Sequence, residues 1–178
     1  MKNIAGNTYL KKNEDQIIID SIPINKILDL SETPFMIFLE NRIKENLRIF
    51  NDVFTSTFNN FEGYYSFKAN YLPEICRIIQ KERFGAELIS LPELNLALSL
   101  GFPPNKIILG GPYLPNELIQ KCVKEDIKEI IVYDLDDLEP INAIAKLYGK
   151  TQNICLRIKS KKFGAKLGIS PTQPSIER

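Results

Sequence analysis

From about residue 34 onward the chain alternates short apolar runs with stretches of helical periodicity, and that alternation leaves few folds open. Residues 35–39 read as a strand with Pro34 at its start, and Ile43, Leu47, Phe50 and Phe54 mark one face of a following helix. Residues 64–67, 86–89, 106–109, 129–133 and 153–158 are predicted as further strands. The intervening helices carry apolar stripes at Leu72, Ile75, Cys76 and Ile79, at Leu91, Leu94 and Leu98, at Leu118, Ile119 and Cys122, and at Leu138, Ile141, Ala145 and Tyr148. Gly101 stops one of these helices, and Pro103-Pro104 keeps it from resuming. The strands are apolar nearly throughout rather than alternating, as expected when both faces are covered. Six βα steps with short links predict an α/β fold with a parallel sheet, either barrel or doubly wound.

A closed barrel of this type takes eight strands and typically about 250 residues. The 178 residues here supply six units, which predicts an incomplete (β/α)8 barrel, the front part of a larger one. The first thirty residues differ. Residues 16–20 read as a strand ahead of the βα series, joined to it by residues 22–30 and paired with something other than the main sheet. The expected division is therefore 1–30 and 31–178. After Ile169 the signal fades into the turn-rich run Ser170-Pro171-Thr172-Gln173-Pro174-Ser175.

Histidine is absent, which removes Ser-His-Asp and Cys-His catalysis and the usual zinc ligands together, so no metal is expected. A net charge of +1, from 23 basic and 22 acidic residues, gives no overall attraction to nucleic acid or to an anionic membrane. Cys76, Cys122 and Cys155 show no metal-ligand spacing, and each lies in an apolar-periodic segment, where a cysteine acts as a small buried hydrophobe. Their odd number fits a reducing cytoplasm. The amino terminus lacks the apolar core of a signal peptide, and no apolar stretch reaches membrane-spanning length.

Lys68 sits in Tyr65-Ser66-Phe67-Lys68-Ala69-Asn70, where an apolar run stops. A lysine at the carboxyl end of a buried parallel strand stands where such folds carry out their chemistry. Desolvation there would favour the neutral, nucleophilic amine that Schiff-base formation requires. The plain alternative is a surface lysine just past a strand.

Several motifs accompany it in order: Ser31-Glu32-Thr33-Pro34-Phe35, the lysine motif 65–70, Ala86-Glu87-Leu88-Ile89-Ser90 with Pro92-Glu93-Leu94, Gly101-Phe102-Pro103-Pro104, Leu156-Arg157-Ile158 and Lys162-Phe163-Gly164. Together, over residues 9–170, they resemble the amino-terminal half of the pyridoxal-phosphate-dependent decarboxylases of the alanine-racemase-like fold. Among these the diaminopimelate enzymes are most similar, with the ornithine, arginine and carboxynorspermidine enzymes as relatives. The resemblance implies a pyridoxal-phosphate barrel, a β-barrel domain to which the amino-terminal strand belongs, and a homodimer whose active sites are shared between subunits. It implies Lys68 as the residue joined to the cofactor, with Glu87 and Arg157 as further cofactor-binding residues and Lys162 facing the partner subunit. Glu87 stands where the family has aspartate, and Ser66 where it has alanine.

Each assignment has a plainer counterpart. Glu87 reads equally as a solvated residue at a strand edge, and Arg157 as a strand-end residue facing water. Ser90-Leu91-Pro92-Glu93 forms a capping box, which accounts for Glu93 without a catalytic role. The cations Arg157, Lys159, Lys161, Lys162 and Lys166 lack the aromatic series of a nucleic-acid surface and read as a solvated loop. Gly110-Gly111-Pro112 fits a tight turn or an exposed nest of backbone N–H groups. The expected activity is decarboxylation of a basic or amino-dicarboxylic amino acid, most of all meso-diaminopimelate, impaired or absent in this length of chain alone. A non-catalytic pyridoxal-phosphate carrier and a folded relic that binds nothing are the alternatives.

Overall fold

The computed structural model describes residues 2–4, 6–13, 15–160 and 166–170. Two compact units divide between Asn59 and Asn60. In the first, β1 (Lys2–Ile4), β2 (Asn7–Lys12), β3 (Ile17–Ile19) and β4 (Ile22–Pro23) form an antiparallel sheet in sequential order. Asp20 and Ser21 both have positive φ, 45° and 72°, between the paired residues Ile19 and Ile22. That is the two-residue hairpin turn whose twist matches its flanking strands. The predicted strand at 16–20 is thus one of four, and it does pair outside the parallel sheet.

α1 (Ile24–Leu28) and α2 (Glu40–Thr57) complete this unit. The Tyr9 hydroxyl donates to Glu45 at 3.0 Å and the Asn41 amide donates to Asp20 at 2.9 Å, tying α2 to the sheet. Residues 35–39, predicted as a strand, run without a sheet partner among the described residues. An apolar run becomes a strand only where another strand takes up its N–H and C=O groups.

The second unit is a parallel sheet of β5 (Tyr64–Ser66), β6 (Gly85–Leu88), β7 (Ile107–Gly110), β8 (Glu129–Val132) and β9 (Ile154–Leu156), in that order. Between them lie α3 (Pro73–Lys81), α4 (Leu91–Ser99), α5 (Asn116–Glu125) and α6 (Leu138–Leu147). Parallel crossovers are right-handed, so consecutive strand order sends all four helices to one face. On the covered face Ala86, Leu88, Ile107, Leu109, Ile130 and Val132 are completely buried. Ile75, Cys76, Ile79, Leu94, Leu118, Ile119, Cys122 and Ile141 of the helices are buried as well. Fully burying one such side chain contributes about 1.5–3 kcal/mol.

The other face is less sheltered than its apolar strands predict. The register places Ser66, Glu87, Ile108 and Glu129 in one row there, and all four are half-buried. The parallel α/β fold is as expected; the described sheet is open, with β5 and β9 at its two edges.

The helix ends follow one device. Gly101, at φ +80°, donates to the Leu98 carbonyl at 3.0 Å, and Phe102 donates to that of Ala97 at 3.1 Å. This left-handed cap ends α4 and swings Phe102 into the core. Arg83, Asp126 and Gly149 close α3, α5 and α6 with the same pair of bonds.

Before the strands begin, charge does the stapling. Glu62, just ahead of β5, accepts from Lys106 at 2.5 Å and from Lys128, and the Tyr64 hydroxyl donates to it at 2.8 Å. Lys106 precedes β7 and Lys128 precedes β8, so one carboxylate gathers the amino ends of three strands. These donors, Lys106 foremost, hold the Glu62 carboxyl down at about 2, and Glu62 in turn raises Lys128 above the usual lysine range. Gly85 fits beneath them because it lacks a side chain: a Cβ there would come within 2.4 Å of the Tyr64 ring and 2.6 Å of the Lys106 carbonyl.

Candidate active site

Because β5 to β9 run the same way, their carboxyl ends share one rim, the place where open α/β sheets bind ligands. Lys68 stands on it, in the single 3₁₀ turn Phe67–Ala69 directly after β5. The turn is fixed from below and from one side. Phe67 is completely buried, with its ring 5.6 Å from that of Phe102 in an edge-on contact. The Tyr65 hydroxyl donates to the Asn70 carbonyl at 3.1 Å, and the Asn70 side chain accepts from the Leu72 N–H at 3.0 Å, leading into α3. The motif residues around Lys68 are therefore its mount.

The desolvation expected of this amine is not present. Lys68 is exposed, because a 3₁₀ turn lifts it off the strand while Phe67 takes the buried position. Among the described residues no carboxylate pairs with it.

Glu87 lies on the neighbouring strand, half-buried and in register with Ser66. The Ser66 hydroxyl is buried without a hydrogen-bond partner among the described residues, and a buried hydroxyl left unpaired costs about 1–3 kcal/mol. Glu93, only 8% exposed, is occupied structurally: it accepts from the Ile89 N–H at 2.8 Å, while its own N–H donates to Ser90 Oγ at 3.4 Å. The capping role predicted for it holds, with its carboxylate reaching one residue further back than in the usual box.

Arg157 follows β9, at the opposite end of the rim. Four strand spacings of about 4.8 Å separate β9 from β5 along the sheet, so Lys68 and Glu87 are neighbours and Arg157 is not beside them. Its guanidinium donates to the Tyr133 hydroxyl at 2.8 Å and lies 4.7 Å from the centre of that ring. Tyr133, just past β8, was not singled out by sequence reasoning; an aromatic residue directly before an acidic segment, Asp134 to Asp137, looks like any strand end. Lys162 and its Phe163-Gly164 neighbours, like Lys161, lie outside the described residues.

Gly111, directly after β7, has φ +153°, a backbone conformation closed to most side chains. Cys76 and Cys122 are buried, which pushes their thiols up to about 11 and about 12. Cys155 departs from the buried expectation: β9 is an edge strand, and its side chain is exposed. Among the described residues no cluster of His, Cys, Asp and Glu is placed to hold a metal ion, and no helix is long and apolar enough to cross a membrane.

These residues fit a small aldehyde-bearing anion such as pyridoxal phosphate. A primary amine on a rigid mount, an unsatisfied buried hydroxyl, a half-buried carboxylate and a guanidinium share one rim. The amine can attack an aldehyde, the carboxylate can accept a proton or hydrogen bond, and the guanidinium can receive an oxyanion.

Known proteins are similar to this chain in sequence and in fold. The family model described as the pyridoxal binding domain of pyridoxal-dependent decarboxylases matches residues 40–172. Diaminopimelate decarboxylase of Aquifex aeolicus is 26% identical over 152 residues, 85% of this chain and 35% of that protein. A 2-[(L-alanin-3-ylcarbamoyl)methyl]-2-hydroxybutanedioate decarboxylase of Staphylococcus aureus is 36% identical over 100 residues, covering 56% of this chain and 25% of that one. The crystal structure of diaminopimelate decarboxylase from M. jannaschii, in complex with L-lysine, superimposes with a TM-score of 0.82 at 25% identity, over 93% of this chain and 42% of that one. The chain thus spans about a third of the length of the curated relatives it matches.

Proposed function

The chain belongs to the pyridoxal-dependent decarboxylases, matching their pyridoxal-binding domain, and from that premise we propose that it binds pyridoxal phosphate through Lys68 as part of an amino-acid decarboxylase. When bound, the cofactor supplies an aldehyde that joins to an amine and a conjugated ring that takes up the electron pair left as a carboxylate departs as CO₂. Lys68 is the amine, presented on its turn by Phe67, Phe102, Tyr65 and Asn70. Glu87 and the unpaired Ser66 hydroxyl face the same side of the sheet and offer an acceptor and a donor beside it. Arg157 offers a cation for an oxyanion.

The five parallel strands are the front portion of a (β/α)8 barrel in this reading. Lys68 and the half-buried row Ser66, Glu87, Ile108 and Glu129 then belong to the rim and the inner lining of that barrel. Residues 1–30 are the segment lent to a β-barrel domain, and their antiparallel pairing supports a decarboxylase over a single-barrel carrier. Meso-diaminopimelate is the proposed substrate, supported by the number of diaminopimelate decarboxylases among the relatives. A homodimer in the cytoplasm completes the reading, with the free cysteines favouring a reducing compartment.

The observation that carries this proposal is a lysine fixed on the carboxyl rim of a parallel sheet with no carboxylate among the described residues claiming it. Borohydride reduction of the protein mixed with pyridoxal phosphate, followed by peptide mapping, tests it. The label is expected on Lys68; a label elsewhere, or none, overturns the assignment. Release of CO₂ from meso-diaminopimelate distinguishes an enzyme from a carrier.

A further inference from the structure

Arg157 is an exposed cation held in one place. Its backbone N–H donates to the Val132 carbonyl at 2.9 Å, and its carbonyl accepts from the Ile169 N–H at 2.8 Å, so it is pinned between β8 and the segment beyond it. Its side chain is pinned as well, by the Tyr133 hydroxyl at 2.8 Å and the Tyr133 ring at 4.7 Å. Among the described residues it meets no carboxylate. Room for the Tyr133 ring comes from a third strand: a Cβ on Gly110 would stand 3.2 Å from Tyr133 Cε2 and 2.8 Å from Ile131 Cβ.

Resting on the proposed function, we infer that Tyr133 is a positioning residue that holds the Arg157 guanidinium as an oxyanion-binding arm on the carboxyl rim, with Gly110 making the space for it. A free arginine side chain loses rotamer entropy when it closes on a ligand. Stacking and one hydrogen bond remove much of that loss in advance, which is preorganisation. The phenol oxygen accepts from one guanidinium nitrogen, and a guanidinium has further N–H groups with which to meet a phosphate or a carboxylate. Pairing through a neutral tyrosine leaves the positive charge uncancelled, which an aspartate in its place would not.

The test follows the Arg157 Nε–H signal by NMR in protein labelled at arginine, titrated with inorganic phosphate and, separately, with acetate. The signal is expected to shift with a saturable constant. A response to phosphate assigns the arm to the cofactor's phosphate, and one to acetate alone assigns it to a substrate carboxylate. Tyr133→Phe keeps the ring and loses the hydroxyl, weakening the response about threefold; Tyr133→Leu removes both, weakening it about tenfold.

A signal that neither anion moves, or a Tyr133→Leu constant equal to that of the natural protein, overturns the inference. Borohydride labelling of the same samples keeps the two readings apart. An anion response without label on Lys68 supports the role of Tyr133 and sinks the decarboxylase, whereas label on Lys68 without a response sinks the role of Tyr133 alone.

Discussion

At the amino ends of the strands, Glu62 gathers Lys106, Lys128 and Tyr64 into one network, in which both ammonium groups meet the same carboxylate. At the carboxyl ends, Lys68 and Arg157 meet no carboxylate among the described residues, and the Ser66 hydroxyl is buried without a partner. The same sheet thus carries a satisfied rim and an unsatisfied one. Partners made within the chain lower the free energy of the fold; groups left without them are free to receive a ligand. A rim for stability and a rim for function differ in this way in parallel α/β folds generally. Variants that move one rim and spare the other decide whether the division is real.

The largest effect belongs to Phe67→Ala. This ring is completely buried against Phe102 and supports the turn that carries Lys68. Its removal is expected to cost about 3–5 kcal/mol, read as a lower urea midpoint, because a large cavity opens in the core. Borohydride labelling of Lys68 should fall with it even in the folded fraction. Full labelling on a destabilised protein would show that the mount is dispensable.

Next comes Glu62→Gln on the opposite rim. Its carboxyl is held at about 2 against an ordinary 4.5, so its stabilisation is complete above about 4.5 and is lost as the pH falls towards 2. The side chain is 40% exposed, so the loss at neutral pH is discounted to about 1 kcal/mol. Urea unfolding at pH 7 and pH 3 is expected to show the gap between the natural protein and the variant narrowing in acid. A gap independent of pH would mean that the carboxylate contributes through packing alone. Lys68 labelling should be unchanged by this substitution.

The order of β5 to β9 and their connecting helices was legible because each strand is a short apolar run bounded by glycine, proline or polar residues, and each helix carries a clean stripe. The run 35–39 has the same pattern yet pairs with no described strand, since pairing depends on a neighbour that local sequence does not specify. Lys68 was legible as a rim residue from its place at a strand end, and Glu87 and Arg157 through the family resemblance. What lay hidden was contact. Nothing in Glu129-Ile130-Ile131-Val132-Tyr133 announces that Tyr133 will lie under Arg157, and nothing around Glu62 announces two lysines 44 and 66 residues away. The shelter of Lys68 was misjudged because burial alternates along a strand, whereas Lys68 sits on a turn that breaks the alternation.

A smaller effect, of opposite sign, is expected from Arg83→Gly. Arg83 ends α3 at φ +66°, a left-handed conformation that costs a non-glycine residue about 1 kcal/mol, and its side chain is exposed. The added freedom of glycine in the unfolded chain offsets part of the gain, leaving about 0.5 kcal/mol of stabilisation. Because Arg83 leads through Phe84 into Gly85 at the amino rim, a rise in urea midpoint should come with unchanged chemistry at Lys68. A fall in midpoint would mean that the Arg83 side chain contributes more than its backbone costs.

The smallest expected change in stability is the most discriminating for the comparison. Lys68→Met keeps an unbranched side chain of similar length on an exposed turn position, so stability should move by less than about 0.5 kcal/mol. The borohydride label should vanish entirely. A functional group on an unsatisfied rim can be removed without penalty to the fold, since no other group among the described residues depends on it. If Lys68→Met instead lowers the urea midpoint as Glu62→Gln does, the amine has a structural partner and the two rims are not different in kind. If it leaves stability and labelling both unchanged, the carboxyl rim is polar without being reactive there.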